Sequence, residues 1–210
     1  MNKLVEGSCK EFTDKLASNA PTPGGGGAAA MAGALAGALS AMVAELTIGK
    51  KGFDSVEAEI TSLLGEANKQ RILLLELVEQ DAAVFADFMS CYKLPKSTEA
   101  EKAARSNAIR EAAKRAAMVP MNIARACAEI VSISDKIAKI GNPNVITDAT
   151  CSALLGRAAL RCAVYNVYIN LGLTKDEAFN NALRQETSDL ERIAEAAEQN
   201  VLVATDKALA

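Results

Sequence analysis

Apolar positions recur along this chain with a helical period, and no stretch alternates apolar with polar residues long enough to read as a strand. The most telling stretch is 21–51, PTPGGGGAAAMAGALAGALSAMVAELTIGKK, which runs from its prolines and glycines to Ala44 without a charge. Prolines fix an extended entry, glycines free the backbone, and the alanines that follow favour helix. Large side chains are few, but Met31, Leu35, Leu39 and Met42 recur at helical spacing and form one stripe. Gly33 and Gly37 leave room for another helix to approach closely. The reading is a loop followed by a thin central helix over 28–44, around which other helices pack.

The remaining elements follow from caps and breakers. Ser8 with Glu11 is a capping box ahead of a first helix that turns Phe12 and Leu16 inward. Gly49 and Gly52 punctuate the end of the small-residue helix, and Asp54 with Glu57 then caps a long run over 55–92, bent at Gly65. Leu94-Pro95 breaks that run, and Thr98 with Glu101 opens a helix reaching Ile140, kinked at Pro120. Gly141-Asn142-Pro143-Asn144 is a turn; a helix runs on to about Asn170, and Thr174 with Glu177 caps a last one. The expected fold is all-α: a single domain over 1–210, a bundle of about six long, partly kinked helices.

Composition narrows the function classes. A formal charge of −3 with both signs interspersed offers no nucleic-acid surface. Five cysteines without paired spacing fit reduced thiols in a cytoplasmic protein better than a disulfide framework. The first residues lack the apolar core of a secretory signal. The complete lack of histidine rules out His-based triads, His general bases and His-ligated metals, and scattered cysteines without CxxC argue against structural zinc. No metal is expected. Stretch 28–44 is nearly long enough to span a membrane, but it is weakly hydrophobic and has no aromatic belt, so no membrane is expected either. Gly49-Lys50-Lys51 follows a helix and lacks the serine or threonine of a phosphate-binding loop.

Candidate chemistry lies where polar groups fall on apolar faces, since burying them costs free energy unless they are satisfied or used. Asp81 falls on the stripe Leu74, Leu77, Val78, Phe85 and Phe88, where desolvation raises a carboxyl pKa toward the range useful for proton transfer. The plainer alternative is an aspartate that bonds a neighbouring helix end or a lysine. Asp87 points away and is expected in solvent. In the fifth helix, Asn166 and Asn170 share a face, with function and interhelical bonding both open; Asp148 sits in the first turn, where an acid suits the helix dipole. The glycine turn ahead of a helix aims free N–H groups at an electronegative ligand, or simply lets helices pack. Lys50-Lys51 and Lys93, Lys96 and Lys102 are expected on the surface, though such a pair beside a cleft suits a substrate with carboxylates.

PTPGGGGAAAMAGALAGALSAMVAELTIGKKGF resembles the opening of the cyclodeaminase/cyclohydrolase family of folate enzymes. The resemblance continues through DAAVFADFMSCYKLPKSTEAEKAAR, Val119-Pro120, GNPNVITDA and NVYINLG, in order and over nearly the whole chain. One departure is Gly27, where relatives more often carry serine. The resemblance implies an all-helical homodimer that acts on a tetrahydrofolate one-carbon derivative without metal or cofactor. It implies hydrolysis of 5,10-methenyltetrahydrofolate or cyclodeamination of 5-formiminotetrahydrofolate, and it places the family's catalytic aspartate on Asp81. A chain without a formiminotransferase half favours the first reaction. The binding roles expected are Pro23, Gly24, Gly25 and Gly26 against the pterin or one-carbon unit, Lys50 at the acidic tail, and Asn166 orienting the substrate. The alternative is a non-catalytic helical dimer serving as an interaction or regulatory module, in which Asp81 pairs with a lysine and faces no cavity.

Overall fold

The computed structural model describes residues 3–210. After a 3-10 turn at Leu4–Glu6 come α1 (Cys9–Leu16), α2 (Gly25–Glu45), α3 (Glu57–Cys91), α4 (Glu99–Ile140), a second 3-10 turn at Pro143–Val145, α5 (Ile146–Thr174) and α6 (Glu177–Leu209). Among the described residues there is no strand, and the bundle of six α-helices agrees with the sequence expectation.

Both expected capping boxes form, at Ser8 with Glu11 and at Thr98 with Glu101. Two expected caps do not. Asp54 does not cap α3, whose N-cap is Val56 without a side-chain bond. Nor does Thr174 cap α6: α5 runs on past Asn170 to include it, and Asp176 accepts from the Phe179 N–H at 3.0 Å instead. Helix α3 continues through Gly65 as one element, and a Cβ at that position would meet nothing within 4 Å. Pro120 lies inside the continuous α4.

Helix α2 packs between α3 and α5 and more lightly on α4, whereas α4, which meets α2, α3, α5 and α6, holds the more central place expected of α2. Its buried face is made of small residues, among them Ala30, Gly33, Ala36, Gly37 and Ser40. A Cβ on Gly33 would stand 2.6 Å from the Cys127 sulfur of α4, and one on Gly37 would stand 3.2 Å from Cβ of Arg71 on α3. Close approach therefore requires glycine at both places. Of the large stripe, Leu35 and Met42 face outward, 55% and 46% exposed, while Met31 and Leu39 are half-buried. Neighbouring helices pack on the side where the backbone is barest, and the large side chains are left on the opposite side. Leu16, expected inward, is also exposed, while Phe12 is buried.

Polar contacts fix the register of these helices. Ser40 of α2 bonds Ser134 of α4 at 3.0 Å and Ser152 of α5 at 2.8 Å, and Ser152 donates to the Ala36 carbonyl at 2.6 Å. All three hydroxyls are fully buried and satisfied, which is the condition for a polar cluster in a core. At the other end of α2, Asn142 donates its backbone N–H to Thr47 and its side-chain amide to the Leu46 carbonyl. This closes the C-terminal end of α2 against the turn before α5. Helix α2 and part of α4 are long and apolar enough to cross a membrane, but 61% and 67% of those windows are buried inside the bundle.

Candidate active site

Gly24, the N-cap of α2, has no side chain to accept from the first turn. Asp81 of α3 takes that role: the Gly27 N–H donates to its Oδ2 at 2.9 Å. The fit requires a bare backbone, since a Cβ on Gly26 would lie 2.2 Å from Oδ1 and 2.7 Å from Cγ of Asp81. The glycine run therefore lets a carboxylate from another helix sit directly on the start of α2. Helix N-termini favour such an anion.

Burial works against that preference. Desolvation pushes the Asp81 carboxyl above the ordinary aspartate range, and the Gly27 N–H pulls it only partly back. Among the described residues no lysine or arginine shares in this balance. Asp81 thus bonds a neighbouring helix end, as the plainer reading held, yet it also faces a cavity and has no cationic partner.

The cavity measures about 260 Å³ and lies between the α2 N-terminus, α3, α4 and α5. Gly24, Gly25, Gly26, Asp81 and Asn166 all line it. Asn166 stands against the glycine turn, its Nδ2 3.3 Å from where a Cβ of Gly25 would be, and donates to the Cys162 carbonyl at 2.8 Å. Phe85, expected in the core, is 38% exposed and forms the apolar wall of the cavity with Val84, Phe88, Ile169 and Leu173. A pocket with apolar walls and a few convergent polar groups suits a flat heterocycle.

Two expected site residues do not reach the cavity. Pro23 is buried beneath the turn with its Cβ toward Gly27, and Pro21 and Thr22 line the cavity in its place. Lys50 lies beyond the far end of α2, roughly 30 Å along the helix axis at 1.5 Å per residue. It cannot serve this cavity within one chain. Asp87 is exposed and Asp148 sits in the first turn of α5; neither lines the cavity.

Sequence reasoning gave no site role to Pro120 and left Asn170 undecided, yet both line the cavity. It also missed a second, cationic cleft of about 420 Å³ lined by Lys96, Lys102, Arg105, Arg110 and Lys175, together with Ser106. The two spaces share Leu173. Of these cations only Lys96 and Lys102 had been singled out, because the others come together from α4 and the end of α5 only on folding.

The fold is an all-helical bundle with a half-buried carboxylate on a glycine-started helix, and the chain belongs to the formiminotransferase-cyclodeaminase family, whose model matches residues 8–189. It is 44% identical over 189 residues to the methenyltetrahydrofolate cyclohydrolase of Methylorubrum extorquens, covering 90% of each chain. It is 30% identical over 200 residues to the rat formimidoyltransferase-cyclodeaminase, of which it spans 37%. Among solved structures it matches the formiminotetrahydrofolate cyclodeaminase of Thermotoga maritima with a TM-score of 0.88 and 34% identity, over 98% of this chain and 100% of that one.

Proposed function

We propose that this chain is a folate one-carbon enzyme that hydrolyses 5,10-methenyltetrahydrofolate to 10-formyltetrahydrofolate, with Asp81 moving the protons. The observation that carries the reading is the Asp81 carboxylate: it faces a cavity, lacks a cationic partner and holds its proton above the usual aspartate range. The 44% identity to a methenyltetrahydrofolate cyclohydrolase supports the choice of reaction.

The methenyl carbon is an amidinium-type cation, and water adds to it while Asp81 takes one of the water protons. The neutral tetrahedral adduct then collapses. The C–N5 bond breaks, Asp81 returns its proton to N5, the adduct hydroxyl loses its proton to solvent, and the 10-formyl carbonyl forms. One proton is released overall. Before the attack, the ionised carboxylate also stabilises the cationic carbon.

The same group serves a second reading, favoured by the close structural match to a formiminotetrahydrofolate cyclodeaminase. N10 attacks the formimino carbon, Asp81 relays the N10 proton to the imino nitrogen, a second proton from solvent completes ammonia as the leaving group, and the C–N bond to it breaks as the methenyl cation forms. Glycines 24–26 and Asn166 bind the pterin or the one-carbon unit in either case. The cationic cleft takes the carboxylates of the folate tail, a role that Lys50 is too distant to fill.

Helix α2 exposes Leu35 and Met42, and α5 exposes Leu155, Tyr165 and Ile169; such apolar surface suits a homodimer seam. Five free cysteines fit a cytoplasmic setting. Turnover of purified protein with each substrate separates the readings. Loss of the methenyl chromophore above the no-enzyme rate identifies the cyclohydrolase, and ammonia release from 5-formiminotetrahydrofolate identifies the cyclodeaminase. Neither signal would favour a non-catalytic helical module.

A further inference from the structure

In a regular helix the carbonyl of residue 116 accepts the N–H of residue 120. In α4 that residue is Pro120, which has no N–H to give. Asn170 of α5 supplies the donor, with its Nδ2 3.3 Å from the Ala116 carbonyl oxygen. The same Nδ2 donates to the Asn166 carbonyl at 2.8 Å. Carbonyl oxygens only accept, so both amide hydrogens of Asn170 are committed and its nitrogen and oxygen cannot exchange places. Ala116, Pro120, Asn166 and Asn170 all line the cavity that Asp81 faces.

We infer that Asn170 is a specificity-determining residue, whose Oδ1 is held as a hydrogen-bond acceptor for an N–H group on the pterin ring of the substrate. Pro120 is a positioning residue for it, since the carbonyl it frees on Ala116 fixes which way the amide points. One turn earlier, Asn166 gives one Nδ2 hydrogen to the Cys162 carbonyl at 2.8 Å and keeps the other free. With Asp81, this wall presents acceptors, which match the amino and ring N–H donors of a tetrahydropterin. A ring presenting a carbonyl at the same place is rejected, because two acceptors then face each other in a partly dry site. The inference rests on the folate reading above.

The test is equilibrium binding of 5-formyltetrahydrofolate, a ligand that needs no turnover, by calorimetry, with thermal unfolding measured in parallel. Asn170→Leu is expected to weaken binding about tenfold, the effect of one hydrogen bond in such a site. It also leaves the Ala116 carbonyl without its donor and lowers the Tm. The double variant Pro120→Ala/Asn170→Leu returns an N–H at position 120, so its Tm recovers while binding stays about tenfold weak. Recovery of binding together with Tm would overturn the inference, since Asn170 would then act only as a cap on Ala116. Unchanged binding in a folded Asn170→Leu would overturn it as well. A wild-type protein that does not bind the ligand at all sinks the folate reading, and this inference with it.

Discussion

The Gly27 N–H donates to Oδ2 of Asp81 at 2.9 Å, across 54 positions of sequence. This one bond ties the start of α2 to the middle of α3 and gives a glycine-started helix its missing cap. It also places the carboxylate where burial raises its pKa and the helix start lowers it, with burial the larger effect. A group in that balance is better suited than an ordinary aspartate to take a proton and return it.

The pH profile follows from that balance. Asp81 must be ionised to take a proton from water, so activity should fall as pH drops through its pKa, with a midpoint above the ordinary aspartate value of 3.8. A serine at position 27 fits: its Cβ would be 3.4 Å from Pro23 and 3.8 Å from Oδ2 of Asp81. Its hydroxyl can then donate to the ionised carboxylate and favour that form. Gly27→Ser should move the acid limb of the rate profile to lower pH, as read from kcat across a buffer series. A limb that stays put or moves up contradicts this electrostatic account.

Gly26→Ala tests the steric side of the same contact. The added carbon would overlap the carboxylate, so Asp81 must rotate off the helix start or α2 must shift. Activity is expected to fall at least a hundredfold, since a misplaced catalytic group loses most of its effect. Circular dichroism should still report a helical bundle. Near-normal kcat in this variant would mean that the Asp81 position is not critical.

How far the sequence reached can be judged from particular residues. Asp81 stood out as a carboxylate interrupting an apolar stripe, but its catalytic role came from the resemblance, and the glycine turn stayed open between binding a ligand and letting helices pack. The large residues of α2 were legible as one stripe, but periodicity marks a face without saying which side the neighbours take. Lys50 was placed at the substrate although the expected helix over 28–44 already set it roughly 30 Å from the glycine turn at 1.5 Å per residue, so within one chain it cannot reach the cavity. Pro120 was legible as an interruption of α4, but the partner for its freed carbonyl comes from α5, and no local pattern connects the two. The cationic cleft was hidden for the same reason.

Charge reversal in the cationic cleft should act on binding rather than chemistry. Lys96→Glu with Lys102→Glu is expected to raise KM about tenfold with little change in kcat, and the difference should shrink as salt screens the charges. An unchanged KM at low salt would remove the cleft from the substrate path.

The exposed α2–α5 face makes a prediction about assembly. Leu35→Glu places a charge at the centre of the apolar strip, 55% exposed in the single chain. Sedimentation should show the wild type as a dimer and this variant shifted to monomer, with helix content kept. A monomeric wild type would show that the face serves something other than a second copy.

The central claim is that Asp81 moves the protons, and Asp81→Asn tests it most directly. The amide keeps an acceptor for the Gly27 N–H, so the fold should survive. Burial raises the Asp81 pKa in the folded chain, so the stability this group gives is present below its unfolded pKa and is lost as pH rises through its folded value. The variant lacks that loss, and its Tm relative to wild type should climb over the same window. Its kcat with 5,10-methenyltetrahydrofolate should fall about 10²- to 10⁴-fold at pH 7. A folded Asp81→Asn protein that keeps wild-type kcat would contradict the account.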